Sequence, residues 1–185
     1  MDASSQFQDS LPISSDALLE QLSGWKLLFD YWEHVPLRTV EDSKQVRKGF
    51  LSAEDSGFHI KNLFLRDKKK QNYLVVLQED AQIDLKELAS QLGAVRLSFG
   101  SADRLLECLG VRPGAVTPLS MIIGCKHGVT IHLDKRIMFA NKIYMHPLVN
   151  DRTIGMSSDG LAHFFEKIGC QPNMLDTESF TGESE

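Results

Sequence analysis

His59-Ile60-Lys61-Asn62-Leu63-Phe64-Leu65-Arg66 is followed, after Asp67-Lys68-Lys69-Lys70-Gln71-Asn72, by Tyr73-Leu74-Val75-Val76-Leu77-Gln78. Two runs rich in β-branched, aromatic and leucine side chains, separated by six polar residues, predict a β-hairpin. Alternation along its first strand puts His59, Lys61, Leu63 and Leu65 on one face and Ile60, Asn62, Phe64 and Arg66 on the other. Lys61 therefore shares a face with leucines. An ammonium there must snorkel to water, find a partner, or be held for an anionic ligand. Periodicity alone leaves a snorkelling lysine and a functional one equally open.

Downstream of the hairpin, Asp84 with Glu87 marks a helix start, Leu85, Leu88 and Leu92 give its apolar face, and Gly93 sits where a terminal glycine belongs. The pattern repeats with a strand over Val95–Phe99 and a helix capped by Ser101, carrying Leu105, Leu106 and Leu109 and ending at Gly110. After Pro113-Gly114, apolar runs at Leu119–Ile123 and Val129–Leu133 flank Gly124-Cys125-Lys126-His127-Gly128, which reads as a second hairpin loop. Ile143–Met145 reads as a strand, and Ser157 caps a helix bearing Leu161, Phe164, Phe165 and Ile168, closed by Gly169.

Upstream, residues 1–15 read as a flexible leader ending in a serine cap. Leu18, Leu22, Trp25, Phe29 and Trp32 then follow at helical spacing. Val35–Val40 is a short extended piece, and Thr39 with Asp42 resembles a capping signal. There is no internal repeat and no linker. Strands with irregularly interspersed helices predict a single α/β domain over residues 16–172, with one mixed, mostly antiparallel sheet surrounded by helices. Residues 173–185 read as an acidic tail.

The chain has 185 residues, enough for a core without disulfides or a structural metal. Its three cysteines are widely spaced with no CxxC pair, as reduced thiols are. No basic-then-apolar leader marks secretion, and no apolar run reaches the ~18 residues of a membrane span, so a cytoplasmic location is expected. A net charge of −5 argues against indiscriminate nucleic-acid binding. The last ten residues, however, hold four carboxylates and no Lys or Arg, which leaves the body near neutral. Against that body, Arg66, Lys68, Lys69 and Lys70 form a basic cluster suited to a small RNA contact.

His146-Pro147-Leu148-Val149-Asn150-Asp151-Arg152-Thr153 is a polar segment after a strand. Loops place such groups on a rigid frame, although the residues alone favour a plain turn capped by Asn and Asp. Gly110–Pro118 is rich in turn residues and could present backbone N–H groups to an anion; by itself it is only a loop. No Walker or dinucleotide glycine pattern, no Gly-x-Ser-x-Gly elbow and no zinc-like histidine spacing is present. A hydrolase built from these parts would rely on lysine and backbone donors to stabilise an oxyanion, with water as the nucleophile.

Taken together in order, His59–Lys68, Arg96-Leu97-Ser98-Phe99-Gly100, Leu109–Pro118 and His146–Asn150 resemble the YbaK/ProX aminoacyl-tRNA deacylases, in particular the freestanding prolyl-tRNA-editing branch. The resemblance spans about residues 16–172. It implies an editing domain that removes alanine from tRNA(Pro) by ester hydrolysis without metal or cofactor. Lys61 would carry the essential lysine role, with Asn62 and His146 completing a catalytic set. Leu37, Thr39 and Val40 would line the amino-acid pocket. Gly114, Ala115, Val116, Thr117 and Pro118 would form the Gly-x-x-x-Pro loop beside the ester and terminal adenosine, with Ser98 and Asn150 also touching substrate. Arg96 would approach the acceptor stem, joined by Arg66, Lys68, Lys69 and Lys70. The acceptor end of tRNA(Pro) is the implied partner, with prolyl-tRNA synthetase or an elongation factor as transient ones.

Two departures bear on specificity. Ile60 stands where this branch often has threonine, but alternation points it away from Lys61, so pocket packing rather than chemistry is affected. Met121–Cys125 lacks the Asn-Asp turn common in the branch. A deacylase for Cys, Ser or Thr, or a noncatalytic tRNA- or synthetase-binding module, are the alternative readings.

Overall fold

The computed structural model describes residues 1–37, 39–49, 51 and 57–177, together with the backbone but not the side chain of Val40. Arg38 and residues 178–185 lie outside the described residues, as does the Val40 side chain expected to line the pocket. Among the described residues, no helix is long and apolar enough to cross a membrane.

The strands are β1 (Phe29–Glu33), β2 (Phe58–Arg66), β3 (Asn72–Gln78), β4 (Ser98–Phe99), β5 (Thr130–Asp134), β6 (Ile143–Met145), β7 (Arg152–Met156) and β8 (Asn173–Leu175). They form one mixed sheet ordered β1-β7-β6-β2-β3-β5-β8, with β4 added beside β2. The β1–β7, β6–β7, β2–β3 and β2–β4 pairs are antiparallel; β2–β6, β3–β5 and β5–β8 are parallel. The expected α/β domain with a mixed, mostly antiparallel sheet is the architecture found.

The hairpin lies at the centre of the sheet, which explains why Tyr73–Leu77 is apolar without a break. Phe64, Leu74 and Val76 face the larger core, packed with Leu109, Leu119, Ile131 and Phe164. Leu65, Tyr73, Val75 and Leu77 face a smaller core closed by Leu88, Ala89, Leu97 and Leu175.

The helices are α1 (Ser15–Gly24), α2 (Val40–Arg47), α3 (Leu85–Gln91), α4 (Ala102–Leu109), α5 (Met121–Gly124) and α6 (Ser158–Lys167). Five start at side-chain caps, satisfying N–H groups that the first turn leaves without partners. Ser14, Asp84, Ser101 and Ser157 accept from backbone N–H groups, and Thr39 with Asp42 forms a reciprocal capping box.

Several expectations are corrected. α1 ends at Gly24, so Trp25 falls just beyond it and Phe29 and Trp32 lie on β1. Leu119–Ile123 is not a strand: Pro118–Ser120 forms a 3-10 turn running into α5, started by Thr117, whose side chain accepts from Leu119 N–H. A second hairpin there is therefore absent. Only Ser98 and Phe99 of Val95–Phe99 are extended, and Arg152–Met156, read as part of a polar loop and its sequel, is strand β7.

The first fifteen residues are not a loose leader either. Ala3 and Ser4 are buried, a 3-10 helix covers Ser5–Ser10, and the Asp151 carboxylate accepts from Ser5 N–H at 2.9 Å and Ser5 Oγ at 2.7 Å. At the other end Asn173–Leu175 adds strand β8 where an acidic tail was expected.

Candidate functional site

β6 pairs with β2 only at Phe58 and His59, and β4 only at Leu65 and Arg66. The stretch of β2 edge between them opens on a cleft with two adjoining parts, of about 640 Å³ and 580 Å³. Leu37, Ser43, Ile60, Asn62 and His146 belong to both parts. Thr39, Lys61, Gly114 and Val116 line the first, while His59, Arg47, Glu79, Tyr144 and Thr153 line the second.

Lys61 is half-buried and donates to the Ala81 carbonyl oxygen. Burial pushes its ammonium below the ordinary lysine range, with Asp80 pulling in the opposite direction. A desolvated cation on a cleft wall is a strong partner for an anionic group or a developing oxyanion. Beside it, Asn62 Oδ1 is buried without a hydrogen-bond partner among the described residues, which leaves an acceptor open to a ligand donor.

His146 follows β6 directly. Its Nδ1 lies 2.7 Å from the Arg152 carbonyl oxygen. A carbonyl only accepts, so Nδ1 carries the proton and the neutral ring offers Nε2 as an acceptor. Desolvation lowers the His146 pKa to about 4; the Arg152 carbonyl opposes this and His34 adds to it. His34, whose ring centroid is 6.0 Å from that of His146, bonds Thr153 Oγ1 through Nε2 at 2.8 Å.

The wall opposite is tied to this one through Asn150, whose Nδ2 donates to Leu37 O at 2.6 Å while Leu37 N–H donates to Asn150 O at 2.8 Å. Gly114 has φ +95°, in the region glycine tolerates. A Cβ built there would stand 3.5 Å from Asn150 Nδ2 and 3.7 Å from Leu37 O. Space would permit a side chain; the backbone conformation is what calls for glycine.

Among the residues singled out in the sequence, Lys61, Asn62, His146, Leu37, Thr39, Gly114 and Val116 thus converge on one cleft, with Asn150 bonded behind it. Ala115, Thr117 and Pro118 are buried and support the loop from within. Ser98 is exposed on β4, where its hydroxyl donates to Arg66 O at 3.3 Å, apart from the residues lining the cleft. Lys68, Lys69, Lys70 and Arg96 are exposed around the hairpin turn, which is closed by Gln71 N–H donating to Asp67 Oδ1.

Sequence reading missed Arg47, Glu79, Tyr144 and His34. Arg47 bonds Glu79 twice, Nη1 to Oε2 at 3.0 Å and Nη2 to Oε1 at 2.7 Å. Tyr144 stacks on His59 with centroids 4.8 Å apart. No local pattern announces these pairs, because their members are joined only by the fold.

The mixed sheet thus opens on a cleft lined by a desolvated lysine, an amide oxygen without a partner among the described residues and a neutral histidine, and residues 34–164 match the family model described as aminoacyl-tRNA editing domain. The chain belongs to this family. Among its relatives, the prolyl-tRNA editing protein ProX of Acetoanaerobium sticklandii is 34% identical over 157 residues, covering 84% of this chain and 93% of that one. The prolyl-tRNA synthetase associated domain-containing protein 1 of Bos taurus is 35% identical over 166 residues, 86% of this chain and 93% of its own. A crystal structure provisionally described as a trans-editing enzyme for prolyl tRNA synthetase superposes with TM-score 0.61 at 18% identity, covering 87% of this chain and 93% of that one, which supports the fold.

Proposed function

We infer that this chain is a trans-editing deacylase that hydrolyses the ester of misacylated tRNA, with Ala-tRNA(Pro) as its substrate. The observation that carries the reading is the convergence of Lys61, Asn62 and His146 on one cleft of a chain in the aminoacyl-tRNA editing family. The ProX relative supports the choice of prolyl-tRNA. Water attacks the ester carbonyl, and negative charge grows on the carbonyl oxygen; the Lys61 ammonium, swung from Ala81 O into the cleft, stabilises it. Asn62 Oδ1 accepts from the substrate's amino group. His146 Nε2 accepts a hydrogen bond from the attacking water or a ribose hydroxyl, orienting it. No metal enters this scheme. In this reading buried Leu37 and Ile60 bound the end of the cleft that takes the amino-acid side chain, admitting alanine and excluding proline by bulk.

Incubation with Ala-, Cys-, Ser- and Thr-charged tRNA(Pro) and tRNA(Ala), following ester loss with and without EDTA, tests the reading. Ala-tRNA(Pro) should be cleaved fastest and the chelator should not matter. Lys61→Ala should lower kcat by about 10²–10³-fold, as loss of one oxyanion donor does, while the thermal midpoint holds. No hydrolysis of any ester by the wild-type protein would defeat the enzyme reading, and a folded, active Lys61→Ala would defeat the role of the lysine.

A further inference from the structure

β4 is two residues long, and both of them are exposed, Phe99 at 63%. A lone exposed aromatic needs no explanation, but the placement of this one is unusual. Directly opposed residues of an antiparallel pair share a sheet face. Phe99 lies opposite Leu65 and so stands on the face of β2 that carries Lys61 and Leu63. Four residues separate Lys61 from Leu65, roughly 13 Å at ~3.3 Å per residue. That span equals about four stacked nucleotides at ~3.4 Å each.

The strand beneath the ring is fixed. Gly100 N–H donates to Phe64 O at 2.9 Å, and a Cβ at Gly100 would stand 2.3 Å from the Phe64 ring, so β4 lies closer to Phe64 than any side chain at 100 would allow. The surroundings are cationic. Arg96 is exposed three residues before Phe99, and the exposed Lys68 is tied to the same segment, its N–H donating to Val95 O at 3.0 Å; Arg66, opposite Ser98, lies on the other face of the sheet.

We propose that Phe99 is a stacking platform for a base in the single-stranded 3′ end of the RNA substrate, with Arg96 and Lys68 holding phosphates beside it. The proposal rests on the deacylase reading, and it adds the path by which the acceptor end reaches the cleft. An aromatic ring flanked by cations, on the strand face that also carries Lys61, is how single strands are bound without reading their sequence.

Binding of uncharged tRNA(Pro), intact and with its four 3′-terminal nucleotides removed, tests this by fluorescence anisotropy. Phe99→Ala should weaken binding of the intact tRNA by about 5- to 100-fold, the usual loss for one base–aromatic stack. It should leave binding of the truncated tRNA unchanged. Phe99→Trp should bind as the wild type does, whereas Phe99→Leu, which keeps apolar area without an aromatic face, should behave like the alanine variant. In deacylation the loss should appear in KM with kcat retained. Equal binding by Phe99→Ala and wild type, an equal loss on the truncated tRNA, or a fully active Phe99→Leu would overturn the proposal; the last would mark the ring as an apolar protein contact. Because uncharged tRNA is the probe, a failure of hydrolysis and a failure of stacking are read separately.

Discussion

On one side of the cleft stands the segment His146–Asp151 and on the other the short helix α2, and they are held in place by different forces. Leu148 takes φ +67°, a left-handed conformation that costs a branched residue about 1–2 kcal/mol, yet its side chain is fully buried. The core therefore over-determines that strain. Around it, His146 Nδ1 donates to Arg152 O, Asn150 N–H donates to Ala3 O at 2.9 Å, and Asp151 O accepts from His34 N–H at 3.0 Å. In α2, by contrast, none of the described side chains is buried. Its ties to the sheet are charged: Lys44 to Asp80 at 2.7 Å and Arg47 to Glu79. The difference predicts that positioning of reacting groups belongs to the hydrogen-bonded wall, and admission of substrate to the one held by charged pairs.

The sharpest way to break this comparison is Asp151→Ala, which removes the anchor of the N-terminal segment without touching the cleft lining. Loss of charged hydrogen bonds costs about 1.5–3 kcal/mol, which for a chain of this size lowers the thermal midpoint by roughly 3–10 °C. If the segment positions His146 and Asn150, kcat/KM should fall on the order of 100-fold, as small displacements of reacting groups allow. A lowered midpoint with an unchanged kcat/KM would show that the brace serves stability alone.

A milder probe uses pH. The folded His146 has its pKa lowered to about 4, and His132 is also lowered by burial. The unfolded chain has ordinary histidines near ~6.5 and so binds more protons than the folded one as pH falls below that value. Stability from these two groups is complete above about pH 6.5 and is lost as pH falls toward 4. Urea midpoints measured between pH 8 and 4.5 should decline over that window. His146→Gln should flatten the decline; an unaltered slope in that variant would mean that His146 is not desolvated.

Between the two walls, the central hairpin was the most legible part of the cleft. The hairpin could be read because alternation and length agree, and because both its faces are buried; Lys61 and Asn62 came with it. Side-chain caps at Ser14, Thr39, Asp84, Ser101 and Ser157 were likewise visible, since a cap is a local event. Apolar spacing misled where the chain turned without changing composition. Trp25, Phe29 and Trp32 keep helical spacing past the end of α1, and Met121-Ile122-Ile123 is as apolar as a strand while lying in a helical turn. Beyond the cap at Thr39, the ion pairs that hold the charged wall left no trace in the sequence. Arg47 and Glu79 are 32 residues apart, and their encounter depends on α2 crossing the end of β3.

That charged wall supplies the smallest effects. Glu79→Gln removes the carboxylate charge and turns one of the two oxygens accepting from Arg47 into an NH2 donor, so that only one bond survives in a side-chain pair only 20% and 8% exposed; it should raise KM several-fold with kcat nearly retained. Lys44→Ala removes a pair whose carboxylate partner is 59% exposed; exposed pairs contribute little, so KM should move by about twofold or less. The variants also differ in salt response. Wild-type KM should rise with ionic strength as α2 loosens, and Lys44→Ala should flatten that rise more than Glu79→Gln does, because salt screens the hydrated Lys44–Asp80 pair far more than the shielded Arg47–Glu79 pair. Measuring KM from 0.05 to 0.5 M salt on a short aminoacyl-adenosine ester keeps the phosphate contacts of the full tRNA from contributing their own salt dependence. If both variants kept the wild-type slope, α2 would be as fixed as the wall opposite, and the distinction between the two would collapse.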